Sequence, residues 1–388
     1  MLNRLRRILA DFFQQADLVL LGLCCASSLF GIVMIFSATR YMEDNRNVIV
    51  QLAALLLGIC VYIAMSMLDL EIVMKRWKWI MVFNIVFIAL LRTRLGVEIY
   101  GNRAWLRFPF LPVNIGPAEV VKISFVLLLA KQLEWLKVEK RDLRSFPAAL
   151  TVAGHAIGLC GFYYVISNDM GNGLVFLFIF VCMAFVAGFA LRWFVLLFGA
   201  GAAAIAAALI AGVMPEHMRD RFIVLFDHSY QPLDAGWQQT RSLLTLGSGG
   251  LFGQGFLNGT QTQSEFRSSL PERHTDFIFS VTGEELGMVG CIIIMVLLLA
   301  IILRVLLVAK RAETPFYCYT CVGIAAMLIF QTIINIGMCM FVMPVIGITL
   351  PFFSYGGSSV VTLYMAMGLV SGIKKRTPAM RRTGRTAR

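Results

Sequence analysis

The chain has 388 residues, of which 59% are hydrophobic and only 14% charged, and its formal net charge is +12. A soluble domain carries about a quarter charged residues, and one this apolar would leave large exposed patches. Disorder is excluded too, because disordered segments are poor in apolar residues. A multi-pass, all-α membrane protein remains, since membranes are spanned only by helices or closed barrels and the apolar runs here are of helical length.

In chain order the runs predict ten spans, near 18–38, 48–68, 75–91, 117–136, 147–166, 170–189, 193–213, 276–308, 316–342 and 352–373. The third and sixth are short. The first follows Arg4, Arg6 and Arg7 but is too long for a signal-peptide core, so it reads as an uncleaved span. Twenty-two of the 34 Lys and Arg fall in the two termini and the even-numbered connections, including Lys75, Arg76, Lys78 and the tail after Ile373. Positive-inside bias then puts both termini (1–17 and 374–388) in the cytoplasm, with the chain forming a single membrane domain, 1–388. The basic tail reads as a topology anchor, and no nucleic-acid partner is expected. The nine cysteines all lie in apolar stretches, and Cys318-x-x-Cys321 lacks the company a metal site needs.

Two outward segments differ from ordinary loops. One spans Arg92 to Gly116. The other, 214–275 between spans seven and eight, has 62 residues, three of the four His (217, 228, 274) and a run of glycines. Loops that long are functional or disordered, and Phe222 to Phe226 and Trp237 to Leu246 are apolar enough to lie on the membrane or re-enter it.

Asp276 closes this segment, with Ser280, Gly283, Gly287 and Cys291 along one helical face. As a carboxylate at a helix N-terminus it suits the macrodipole; as a catalytic group it suits the outer surface of a bundle. The small residues either admit a neighbouring element or line a groove for a lipid chain. Glu284 and Glu285 lie deeper, where charges are paired or functional. Pro117 opens the fourth span, followed by Glu119 and Lys122 at i, i+3 spacing, which suits an ion pair, a cation for an anionic group, or both. No phosphate-binding loop, dinucleotide fingerprint, zinc-protease motif or nucleophile elbow is present. Such a set suits group transfer from a lipid-linked donor.

Four stretches resemble the SEDS family, the RodA/FtsW/SpoVE peptidoglycan polymerases. They are Gly101-Asn-Arg-Ala-Trp105; Pro117-Ala-Glu-Val-Val-Lys122; the block Gly236 to Ser242, Gly247 to Gly255 and Pro271-Glu-Arg-His-Thr-Asp-Phe-Ile-Phe279; and Pro351-Phe-Phe-Ser-Tyr-Gly-Gly-Ser-Ser359. Departures are Gly116 for the usual Gln, Ala118 for Ser, an extra stretch at 267–269, and Ser167-Asn-Asp-Met-Gly171, which keeps only Asp and Gly of its pattern. Gly259 to Phe266 and the Arg of Pro-Glu-Arg-His are more similar to the elongation branch, RodA, than to the division branch.

The resemblance implies a glycosyltransferase that polymerises lipid II at the outer face of the bacterial cytoplasmic (inner) membrane, for elongation and shape. Asp276 would be the general base on the acceptor 4-hydroxyl, and undecaprenyl pyrophosphate the leaving group. Arg103 and Lys122 are candidates to hold the pyrophosphate, with Glu119, Glu272 and His274 shaping the site and Trp105 stacking on a sugar. No metal ligand is assigned, although a divalent cation (Mg or Mn) is compatible with the chemistry. Partners implied are lipid II, a class B penicillin-binding protein transpeptidase and elongation-machinery membrane proteins. A division-type polymerase and a lipid II flippase are the alternatives.

Overall fold

The computed structural model describes residues 16–42, 45–99, 101–109, 113–139, 143–212, 219–220, 223–225, 236–266 and 269–376. The basic N-terminal tail, most of 213–235 with His217 and His228, part of the 267–269 stretch and the end of the basic tail lie outside them. The described chain is helical apart from one two-stranded sheet.

A helix lies over each of the ten apolar runs, and seven of these helices are long and apolar enough to cross a membrane. In chain order the helices begin with α1 (Leu18–Thr39), α2 (Arg46–Met67), α3 (Leu70–Met74), α4 (Trp77–Ala89), α5 (Pro117–Val138), α6 (Phe146–Ser167), α7 (Met170–Ala187) and α8 (Leu191–Ile210). After a short α9 (Trp237–Ser248) come α10 (Ile278–Lys310), α11 (Pro315–Cys339) and α12 (Gly357–Arg376). The third run is divided, α3 being a separate turn before α4. Pro117 sits in the first turn of α5, where its missing N–H costs nothing. Asp17, Asp169 and Thr314 cap α1, α7 and α11 with side-chain oxygens, each contributing about 1 kcal/mol.

Helix packing relies on small residues. Gly58 of α2 lies against the Tyr364 ring, while Gly368 and Gly372 of α12 meet the backbone of Tyr62 and Ser66. A Cβ at Gly368 would come within 2.6 Å of the Tyr62 carbonyl oxygen, so the two helices approach as closely as backbones allow. By contrast α8 is nearly bare: Phe194 is its one buried residue, and Arg192 and Trp193 tie its start to the Arg144 carbonyl.

The two outward segments both have structure. In the first, β1 (Gly96–Ile99) pairs antiparallel with β2 (Asn102–Leu106), and the expectation of helices alone misses this hairpin. In the second, α9 buries Gln239, Ser242 and Thr245 and exposes Leu243 and Leu244. A helix with its polar side inward and its apolar side outward suits lipid, which supports the re-entrant reading.

Helix α10 is not continuous. Gly287 has φ +67°, and there the loop 249–255 enters and pairs with the helix: Gln254 and Gly255 N–H donate to the carbonyls of Glu284 and Glu285, and Met288 N–H donates to Gly250. A side chain at Gly287 would strike Gly253 and Leu251, and one at Gly283 would strike Leu246. The small residues before Cys291 therefore admit α9 and its loop, not a lipid chain.

Candidate active site

Asp276 lies just before α10, on a turn built by Glu272. With φ +48° at Glu272, its carbonyl accepts the N–H groups of Thr275, Asp276 and Phe277. The 351–356 turn grips this segment from the side: Ser354 Oγ donates to the Thr275 carbonyl, Tyr355 N–H donates to the His274 carbonyl at 2.9 Å, and the Tyr355 ring packs on His274. Asn335 of α11 donates to the carbonyls of both Asp276 and Ile348. The Ser-Tyr-Gly-Gly motif is therefore a hydrogen-bonded bracket for the His-Thr-Asp backbone, beyond the close helix packing its glycines suggest.

With the backbone so held, the Asp276 side chain faces the 346–348 segment, where a Cβ on Gly347 (φ +69°) would lie 3.9 Å from Oδ2. Across that segment stands Asp169, whose Oδ1 is 3.4 Å from a Cβ placed on Gly171, itself against the Ile346 carbonyl. Burial, then the charges of Glu272 and Asp169, push the Asp276 carboxyl up to about 7.

Asp169 begins a polar chain. Its carboxylate accepts from Tyr163 Oη, at 2.8 Å, and from the Asn172 side-chain amide. Asn172 in turn accepts from Lys122, which is fully buried and pairs with Glu119 at 2.8 Å. Glu119 reaches Ser359 at the start of α12. The ion pair expected at i, i+3 is present, and Lys122 is drawn into the protein by Asn172 as well. Asp169 and Asn172 are the functional candidates missing from the expected set, although Asp-Met-Gly within 167–171 was a visible signal.

The remaining expected residues fall around this network. Trp105 packs on Gly116, its ring 3.3 Å from where a Cβ would sit, and that Gly N–H points to Ser358. Arg103 is two residues earlier on β2 and so shares the Trp105 face. Its Nε is buried without an acceptor among the described residues, as an anion-binding donor awaiting its ligand would be.

Glu284 and Glu285 are paired with no cation among the described residues. Glu284 accepts from Thr260, from Gln261 N–H and from Thr262, and Glu285 accepts from Ser37 and Gln263. Arg273, 1% exposed, donates to the carbonyls of Gln261, Thr262, Ser264 and Phe266 and stacks on the Tyr41 ring. These charges hold the loop 260–266 beneath the site.

Among the described residues no group of three or more His, Cys, Asp and Glu is placed to hold a metal. Asp276 lacks the companion ligands of an all-protein cage, so no step is assigned to a metal.

A half-buried carboxylate at the end of a helical bundle, linked through Asp169 and Asn172 to a buried lysine, is the candidate site of a membrane enzyme. The chain belongs to the FtsW/RodA/SpoVE family, whose model, described as cell cycle protein, matches residues 17–378. It is 31% identical to the peptidoglycan glycosyltransferase MrdB of Escherichia coli (strain K12), covering 92% of this chain and 93% of that one. It is also 31% identical to a probable peptidoglycan glycosyltransferase FtsW of Coxiella burnetii, covering 91% and 95%. Among solved structures it resembles the rod shape determining protein RodA of Thermus thermophilus (TM-score 0.66, 27% identity, covering 93% and 97%). A chain from a peptidoglycan synthase complex that coordinates polymerization and crosslinking is also similar (TM-score 0.74, 28% identity, covering 93% and 98%).

Proposed function

We propose that this protein is a peptidoglycan glycosyltransferase that polymerises lipid II, with Asp276 as general base. The observation that carries the reading is the Asp276 carboxyl, raised to about 7 by burial and two neighbouring carboxylates. A base titrating near the working pH is ionised often enough to act and basic enough to take the proton of an acceptor 4-hydroxyl. The freed oxygen attacks the donor anomeric carbon as the bond to the pyrophosphate breaks, so the electron pair leaves with undecaprenyl pyrophosphate. Pyrophosphate is already a good leaving group, so a second carboxylic acid is not required. Arg103, whose Nε has no acceptor among the described residues, is the cation we assign to hold it, and Lys122, buried against Glu119 and Asn172, supports the site through that network. Glu119, Glu272 and His274 shape the pocket, and Trp105 offers an aromatic face to a sugar.

The positive-inside pattern supports placing the Asp17 end of the bundle in the cytoplasm of a bacterial inner-membrane protein, and Asp276 at the outer face. The synthase-complex likeness supports a class B penicillin-binding protein as partner, and the 259–266 motif an elongation role with its membrane machinery. A flippase reading is weaker, because a transport site belongs near the midplane and this carboxylate lies before the first turn of α10. Purified wild type and Asp276→Ala, each with the partner, are compared on lipid II. Loss of glycan strands with retained fold is expected; full polymerisation by the variant sinks the role of Asp276.

A further inference from the structure

Where α3 meets α4, at the end of the bundle away from Asp276, a groove of about 550 Å³ is lined by Ile72, Val73, Arg76, Trp79, Ile80 and Phe83. Its wall is almost wholly apolar, yet Ile72 and Trp79 are 63% and 74% exposed. Arg76 lines the groove, and the exposed Lys75 and Lys78 lie within two residues of it in the chain, Lys78 over the Trp77 ring; none of the three is in an ion pair among the described residues. The nearby acids are turned elsewhere: Asp69 caps α3, and Glu71 bonds Tyr317.

An apolar trough open to lipid, with Arg76 in its wall and Lys75 and Lys78 beside it in the chain, matches one chemistry: an acyl chain ending in a phosphate.

We propose that the α3–α4 groove binds an anionic phospholipid, its phosphate held by Lys75, Arg76 and Lys78 and its chain lying along Ile72, Trp79, Ile80 and Phe83. The site is separate from the Asp276 network and does not depend on the function proposed above.

The test uses purified full-length protein in phosphatidylcholine vesicles carrying spin-labelled phosphatidylglycerol or spin-labelled phosphatidylcholine. Wild type should retain the anionic probe preferentially. A Lys75→Gln, Arg76→Gln, Lys78→Gln variant should lose that preference by roughly tenfold. A control losing three cations elsewhere on the same side, Lys137→Gln, Lys310→Gln, Arg311→Gln, should keep it. Trp79→Ser should weaken retention with all three cations present, and soluble glycerol phosphate should not displace the probe. Thermal unfolding of each variant verifies that it is folded. Equal loss in test and control variants overturns the proposal in favour of general surface charge. Displacement by glycerol phosphate overturns it in favour of a free phosphate ester. Absence of any lipid preference in wild type overturns it and leaves the groove to a protein.

Discussion

Two carboxylates stand at opposite ends of this bundle, Asp17 fully buried and Asp276 half-buried, and their surroundings differ. Asp17, at the foot of α1, is bonded by Arg304 at 2.8 Å and by Lys374 at 3.0 Å, and Tyr62 donates to its carbonyl. Asp276 lies near the far end of the same helix, whose 22 residues span about 33 Å and whose Ser37 bonds Glu285. Burial alone would push the Asp17 carboxyl up, but Arg304 and Lys374 reverse this and hold it below the usual range. Burial also pushes Asp276 up, and there Glu272 and Asp169 add to the effect. Burial is common to both; the sign of the neighbouring charges separates the lowered carboxyl from the raised one.

The largest expected effect falls at Asp276. Asp276→Ala should lower lipid II polymerisation by roughly 10²–10⁴-fold, the usual worth of a general base, with the thermal midpoint retained. At Asp17 the effect should be on stability. Arg304→Gln leaves Asp17 partly uncompensated and should cost about 3 kcal/mol, seen as a lowered unfolding midpoint in detergent. Because the Asp17 carboxyl is held low, its contribution is present above about pH 4 and is lost as pH falls through its folded value. An unchanged midpoint in Arg304→Gln would erase the contrast.

Asp276→Asn should instead stabilise the protein, by about 2 kcal/mol at pH 8. A carboxyl raised to about 7 opposes folding only where the unfolded chain is ionised, so the gain grows from about pH 4 and levels off above about pH 7. Measuring the midpoint difference at pH 4, 6 and 8 checks it. The smallest effect sharpens the cause. Glu272→Gln should move the acidic limb of the rate profile downward by about half a pH unit, and Asp169→Asn by less, since each removes a like charge from Asp276. A limb that stays in place in both variants would leave burial as the sole cause.

Much of this was legible in the residues. Ten apolar runs became helices because runs of that length satisfy their own backbone only as helices. Pro117, Glu119 and Lys122 formed the expected helix start and ion pair because i, i+3 neighbours meet on any helix. Asp276 was identifiable from its motif. Not legible were the break at Gly287, the hairpin 96–106 and the partners of Glu284 and Glu285, all of which depend on backbone from distant segments. Asp169 was seen in the sequence but not assigned to the site. Only the 346–348 crossing brings it near Asp276, 107 residues along the chain.

By itself the sequence determined the solvent and the helices and set the expected orientation, because hydrophobic length and charge distribution are sums over local stretches. The tertiary structure alone decided what surrounds and raises the Asp276 carboxyl, a residue the motif had already singled out. That shift depends on the sign and distance of charges brought together by folding, and no local pattern records it. The 14% of charged residues therefore divides by position: cations beside Asp17 fasten the bundle, and an excess of carboxylates around Asp276 raises its carboxyl.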